Sequence, residues 1–441
     1  MLLDFTVANY RSIKEPVTLS AVAQKQRRAE SNENGKRERV KSDDEIAPPY
    51  SIGSWDIEVL PVLAIFGANA SGKTNVIQAL AYLLSLMRNG KRDNTIQDDG
   101  LTPDLFARVS PLPFLLDDSY AGQPTKFELR TVFDETIYSY SLTTNSTRIL
   151  VENLDYFPKS SRQKNRLFER VWNQDEGKFL WKNGRRFSGA HIQLQKSLRE
   201  DESFISLLGK LEVEVVEPLV GWIQNQISGV SAGYSHIDHV WSKTLLGAIF
   251  TSGNHLEFYQ SLSNFIRLFD VGITDIEIKN NADLKLGCEI YTLHTASNGE
   301  TTKWLLVEES IGTQKLLYFA TRMLLNLARG TLTIVDEFGS SFHPHISHEI
   351  IRVFQSPKTN PKRAQLIFTS HDNTLQRNNL LRRDQIWFTQ KKPDHSTELY
   401  PLTDFKVRND LAIDKAYLDG RFGAVPILPS EDELLSGVED L

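Results

Sequence analysis

Lys73 and Thr74 close the run Gly67-Ala68-Asn69-Ala70-Ser71-Gly72-Lys73-Thr74, whose residue types and spacing can hold a triphosphate. The small residues let the backbone curl until successive amides converge on phosphate oxygens, Lys73 reaches the β and γ groups, and Thr74 offers a hydroxyl to magnesium. Gly67, Asn69, Gly72, Lys73, Thr74 and Asn75 are the candidate nucleotide ligands, with ATP and Mg2+ the implied cofactors. A second pair, Asp336 and Glu337, ends the apolar run Leu332-Thr333-Ile334-Val335. A strand apolar on both faces belongs inside a parallel sheet, and ligands sit at the carboxyl edge of such sheets. Asp336 is then placed beside Thr74 to hold magnesium, and Glu337 toward the γ-phosphate to polarise the attacking water. A third segment, Glu309-Ser310-Ile311-Gly312-Thr313-Gln314, opens a helix with serine and glycine, so Ser310 and Gly312 form a second anion site from free amides and the helix dipole. A fourth, Gln365-Leu366-Ile367-Phe368-Thr369-Ser370-His371, is another buried strand ending in histidine.

The elements that must position these groups are legible from periodicity. Val62-Leu63-Ala64-Ile65-Phe66 reads as the strand before the loop, and Val76, Ala79, Leu80, Leu83, Leu84 and Met87 as the apolar stripe of the helix after it. Leu316, Ala320, Met323, Leu324 and Leu327 mark a helix leading into Leu332. Alternation predicts strands over Leu2 to Val7 and Val17 to Val22, and a hairpin from Lys126 to Phe133 and Ile137 to Leu142. Asp275 to Lys279, Glu289 to Leu293 and Lys303 to Val307 alternate as a small sheet. Between these halves, Arg162, Lys164, Arg166, Arg170, Arg185 and Arg186 mix with aromatics, followed by helical spacing in Ile192-Leu194-Leu198 and Phe258-Leu262-Phe265-Ile266-Phe269. The expected organisation is an α/β head in two halves, 1–155 and 275–441, with a parallel-sheet core and an antiparallel β subdomain. A mostly helical insertion is expected over 156–274.

Composition bounds the rest. The chain has 441 residues, net charge -6 and a single cysteine, Cys288, which excludes a disulfide framework and suits a reducing cytoplasm. No apolar run has the length of a signal or membrane segment, and the charge argues against a generally basic nucleic-acid binder. Lys25 to Glu45 mixes both signs and reads as a solvated loop or hairpin tip, with a nucleic-acid contact as the alternative. His343, His345 and His348 suggest a metal cluster or, since Pro344 starts a helix with Ile346, Ile350, Ile351 and Phe354 on its apolar face, an ordinary helix start. Arg11 reads as a nucleotide contact or as a turn residue, Asp372 as a partner of His371 or as a cap. Arg382-Arg383 reads as the solvated start of a strand or as a phosphate clamp.

The order of phosphate loop, serine-glycine helix start, strand with Asp-Glu and strand ending in histidine resembles the ATP-binding-cassette class of ATPases, including the SMC and RecF heads. The resemblance implies that Ser310 and Gly312 of one subunit close over the γ-phosphate held by the loop of another, so that a lone chain has an incomplete site. It also implies a γ-phosphate contact for His371, whose bland alternative is a satisfied buried histidine. The long separation of Lys73 from Asp336 resembles this class rather than the hexameric AAA+ rings, and Glu309 to Gln314 departs from the transporter form of the signature. More finely, Phe5 to Ser12, Gly67 to Asn75, Glu309 to Lys315, Asp336 to Pro344, Gln365 to His371, Arg382 to Phe388 and Gly420 to Pro426 resemble the bacterial abortive-infection ATPases of the RloA type, relatives of the OLD-like and PARIS defence ATPases. This resemblance implies a cytoplasmic homodimer or higher oligomer of dimers. It would sense or restrain, with a separately encoded toxin or nuclease as effector. Relatives with a fused nuclease carry a Toprim domain, for which the length after His371 is too short. The competing expectation is an SMC- or RecF-like ATPase that clamps DNA in repair or maintenance.

Overall fold

The computed structural model describes residues 1–24, 46–90, 111–185, 187, 191–208, 214–225, 246, 249, 256–269, 272–280, 288–340, 342–377, 379–408 and 411–426. The charged run Lys25 to Glu45 and Arg186 lie outside these residues. In chain order, β1 (Leu2–Ala8) and β2 (Val17–Ser20) form a hairpin, β3 (Tyr50–Ile52) and β4 (Ile57–Val59) a short ribbon, and β5 (Val62–Gly67) leads through the glycine-rich loop into α1 (Lys73–Asn89). After the one-turn α2 (Asp118–Ala121) come β6 (Thr125–Phe133), β7 (Thr136–Thr144), β8 (Ile149–Phe157), β9 (Asn165–Asn173) and β10 (Lys178–Asn183). Helical pieces follow: α3 (His191–Ser197), α4 (Ile205–Leu208), α5 (Glu217–Gln224) and α6 (Leu256–Phe269). The chain then returns to β11 (Ile273–Asn280), β12 (Cys288–Thr295) and β13 (Thr301–Leu305), α7 (Ile311–Arg329), β14 (Leu332–Val335), α8 (Pro344–Gln355), β15 (Gln365–Thr369), β16 (Ile386–Lys391), β17 (Thr397–Pro401) and α9 (Ile413–Leu418).

Two larger sheets organise these elements. The central one has the order β14-β15-β5-β16-β17, parallel except for the β16–β17 pair, and β5, β14 and β15 are buried at every position. The antiparallel sheet runs β10-β9-β8-β7-β6-β1-β2. Side chains alternate across a strand, so each central strand feeds two cores. Leu63, Ile65, Leu332, Ile334 and Ile367 join α1 and the antiparallel sheet in one core. Val62, Ala64, Phe66, Val335, Leu366 and Phe368 join α7 and α8 in the other. The predicted stripe on α1 is buried throughout, at about 1.5–3 kcal/mol for each large apolar side chain.

The segment from 156 onward departs from expectation. The antiparallel sheet does not stop near 155 but continues through β9 and β10, in register Val151↔Val171 and Lys178↔Asn173. The basic residues there serve cross-strand pairing rather than a helical unit: Lys164 meets Asp155 at 2.8 Å and Arg170 meets Glu152 at 2.7 Å. The helices beyond divide between the two cores, with Ile205, Leu208, Leu219 and Trp222 of α4 and α5 on the α1 side. Leu262, Phe265 and Ile266 of α6 lie on the α7 side. The three predicted strands near 275–307 form a separate sheet, β11-β12-β13. Among the described residues no helix is long and apolar enough to cross a membrane.

Candidate functional site

β5 delivers Gly67 to the carboxyl edge of the central sheet, and the chain turns through the exposed tip Asn69-Ala70 before α1 begins at Lys73. Two glycines are required by close approach. A Cβ on Gly67 would stand 2.5 Å from the Thr389 carbonyl oxygen, and one on Gly72 would stand 2.2 Å from Thr397 Oγ1. Gly72 occupies the N-cap of α1 at φ 111° without any side-chain cap, so the first-turn amides, including those of Thr74 and Asn75, have no capping acceptor. That leaves an uncapped 17-residue helix start with its dipole facing the loop.

Lys73 is 6% exposed and its Nζ donates to the carbonyls of Gly67 at 2.8 Å and Ala68 at 2.9 Å. Burial pulls its ammonium down to about 8, against the opposing pull of Asp336 and Glu337. Thr74 Oγ1 donates to Asp336 Oδ2 at 2.9 Å, and Thr369 Oγ1 donates to Asp336 Oδ1 at 2.6 Å. A hydroxyl and a carboxylate in direct contact are the hard oxygen donors that magnesium takes, so Thr74 and Asp336 fit that ion. Glu337 is exposed, at φ 50°, and its amide donates to Thr369 Oγ1 at 2.8 Å. A left-handed glutamate costs on the order of 1–3 kcal/mol, and strain of this kind is held at sites where a side chain must be aimed. His371 stands just past β15, and partial desolvation of its ring, then the charge of Lys73, hold it below the usual imidazole range, against Glu337 and Asp336. Lys73, Thr74, Asp336, Glu337 and His371 therefore share one edge.

Ser310 and Gly312 lie elsewhere. Ser310 caps α7, its Oγ accepting from the Thr313 amide at 3.1 Å, and the Ile311 and Gly312 amides have no hydrogen-bond partner among the described residues. Because α1 and α7 bury their stripes in different cores, these two helix starts stand on opposite faces of the central sheet. Among the described residues no hydrogen bond joins Ser310 to the Gly67–Thr74 loop of the same chain.

The other candidates resolve simply. His343 accepts from the His345 amide at 3.3 Å and the two rings stack at 5.1 Å; no group of three residues suited to a metal occurs among the described residues. Asp372 caps a 3-10 turn through the Thr374 amide at 2.9 Å. Arg382 pairs with buried Asp384 at 2.8 Å, Arg383 donates to the Val407 carbonyl, and Arg11 sits in a turn at φ 51°.

A set of hydroxyl residues holds the loop, and sequence reading passed over them. Ser71 Oγ meets Thr389 Oγ1 at 2.6 Å, Thr397 Oγ1 donates to the Ser71 carbonyl at 2.9 Å, and Ser12 Oγ meets Thr397 Oγ1 at 2.8 Å and accepts from Asn75 Nδ2 at 2.5 Å. Single threonines in strands carry no local signal; only the pairing of β16 with β5 brings them to the loop.

No curated protein matches the sequence. Among solved structures, the SMC head domain from Thermotoga maritima is similar at 12% identity and a TM-score of 0.39, over 91% of this chain and 98% of that one. An Smc head domain with an extended coiled coil, bound to the C-terminal domain of ScpA and derived from Pyrococcus furiosus, is similar at 10% identity and a TM-score of 0.44, over 96% and 98%. The Smc head domain with a coiled coil and joint from Pyrococcus yayanosii gives 9% and 0.43, over 96% and 99%. A family profile matches residues 62–377, from β5 through Asp336 and Glu337 to beyond His371. Spanning most of the sequence, that match shows that the chain belongs to the AAA domain family whose description names the AbiEii toxin and a type IV TA system.

Proposed function

We propose that this protein is an ATP-hydrolysing switch subunit of a bacterial abortive-infection system of the RloA type, acting as a nucleotide-sandwiched dimer, or a multiple of it, on a separately encoded effector. The observation that carries the reading is the placement of the two anion-binding helix starts on opposite faces of one sheet. Each chain has a phosphate loop without a lid and a lid without a loop, a mismatch that a second copy removes. The naming of a toxin in the family description supports a toxin-like effector.

In this mechanism the amides at Gly72 to Asn75 and the Lys73 ammonium hold the β and γ phosphates, and Thr74 with Asp336 would hold magnesium. That ion supplies charge neutralisation to the phosphates. Glu337 takes the proton of the attacking water, His371 donates to a γ-phosphate oxygen, and Ser310 with the Ile311 and Gly312 amides of the partner subunit covers the remaining oxygens. Binding favours the closed pair and hydrolysis releases it, which is how a two-state switch uses a ligand. The competing DNA-clamp reading requires a salt-dependent DNA affinity that stimulates turnover.

A mixing experiment tests the shared site. Lys73→Ala and Ser310→Ala chains are each expected to lose turnover, and an equal mixture to regain it, since one supplies the loop and the other the lid. A mixture as inactive as its components would overturn the dimeric reading. Co-purification with the product of the adjacent gene, with mass measured with and without ATP, tests the switch.

Lys73 also fixes a pH dependence. Its pKa near 8 means the ammonium is already charged below pH 8, whereas above it a bound triphosphate must recruit a proton. Nucleotide Kd by calorimetry should be flat below pH 7.5 and weaken by up to about tenfold per unit above 8, with proton uptake visible as a buffer-dependent enthalpy. A flat affinity to pH 9.5 would show that burial does not bring the free Lys73 ammonium down to about 8.

A further inference from the structure

Glu309 stands one residue before the Ser310 cap, yet its side chain is only 9% exposed. Its Oε1 is held from β12 by two groups, Thr292 Oγ1 donating at 2.5 Å and His294 Nε2 at 2.7 Å. The His294 ring in turn rests on Trp304 of β13, centroids 4.5 Å apart. From the other side Gln314 Nε2 donates to the Glu309 carbonyl at 2.8 Å, and the Gln314 amide to the Ser310 carbonyl at 3.0 Å. The backbone at 309–310 is thus gripped by the small sheet on one flank and by α7 on the other.

Capping the helix explains none of this. Ser310 satisfies the Thr313 amide by itself, and among the described residues no bond of the Glu309 carboxylate reaches an amide of α7. Withdrawing a carboxylate from water costs several kcal/mol before its partners repay it, so its burial here calls for a local reason. The groups it bonds all belong to the β11–β13 sheet, whose outer strand β13 is exposed along its length.

We propose that Glu309, Thr292 and His294 form a positioning clamp that fixes Ser310 and Gly312 for the partner subunit's triphosphate, so that the β11–β13 sheet sets how well each chain completes its mate's site. This rests on the trans-acting role of Ser310 proposed above. The clamp touches no nucleotide. It acts through the orientation of the α7 start, and a displacement of about 1 Å there is enough to cost up to about a hundredfold in rate.

The test separates positioning from binding and from folding. Glu309→Ala should leave Kd for ATP at the chain's own phosphate loop unchanged while lowering kcat of the dimer by about tenfold to a hundredfold. Glu309→Gln, which keeps an acceptor for Thr292 and His294, should recover most of that loss. Mixed with Lys73→Ala chains, Glu309→Ala chains should regain turnover; mixed with Ser310→Ala chains they should not, because both then lack a sound lid. Parental turnover in Glu309→Ala overturns the clamp. So does failure of the Lys73→Ala mixture while the Ser310→Ala and Lys73→Ala mixture succeeds. Failure of that last mixture overturns the shared site instead. Should Glu309→Ala not fold, His294→Ala decides by the same readouts, since it removes a surface-edge ring and leaves the carboxylate its Thr292 donor.

Discussion

A Glu337→Gln chain is expected to bind ATP with parental affinity, to hydrolyse it at least about a hundredfold more slowly, and to accumulate as closed pairs. Three features make this substitution informative. Its carboxylate is exposed rather than spent on structure, its amide is already anchored to Thr369, and its backbone is held at a left-handed φ of 50°. Glutamine preserves shape and removes only the proton acceptor, leaving Lys73 for the phosphates and Thr74 with Asp336 for the metal. Single-turnover kinetics give the rate, and native mass measurement with ATP gives the pairs. Parental hydrolysis would assign the water-activating role to another group.

The second large effect concerns stability. Arg170→Met is expected to destabilise the chain by about 3–5 kcal/mol, because it strands a buried charge. Arg170 and Glu152 are both fully buried, joined at 2.7 Å across β8 and β9, with the guanidinium lying over Phe179 at 4.5 Å. Glu152 also accepts from Tyr140 Oη at 2.9 Å and from the Phe204 and Ile205 amides, so it ties α4 to the sheet. The same anionic neighbour, after burial itself, drives the Tyr140 phenol well above its ordinary range. A denaturant midpoint of the Glu152→Gln, Arg170→Met double variant should fall closer to the parent than the sum of the single losses. Singles that cost under about 1 kcal/mol would show the pair to be solvated.

What could be seen in advance divides along the range of the forces involved. The loop from Gly67 to Thr74, the stripe of α1 and the hairpin of β6 with β7 depend on neighbours within a few residues, and they were legible. Asp336 was legible too, because four buried residues before an acid leave few other structures. The extent of the antiparallel sheet was not, since in β9 the alternating face is carried by charged and aromatic residues whose partners lie on other strands. Arg170 looks like a surface residue until Glu152 is placed opposite it. Thr369, Thr389 and Thr397 were invisible for the same reason: a threonine in a strand means nothing until the sheet order decides what it faces. The bond from Glu309 to His294 likewise appears only when β12 is set beside the start of α7.

Thr389, which fastens Ser71 from β16, is 318 residues further along the chain, and β5 lies between β15 and β16, both translated long after it. At about 5–20 residues per second, a nascent polypeptide therefore spends roughly 16–64 s with the wholly apolar Val62–Gly67 segment lacking its neighbours on either side. During synthesis that segment needs shelter, whether from a chaperone or from the earlier strands. The clasp on the loop therefore closes only once β16 has emerged, and a shorter nascent chain lacks the bond that fastens Ser71.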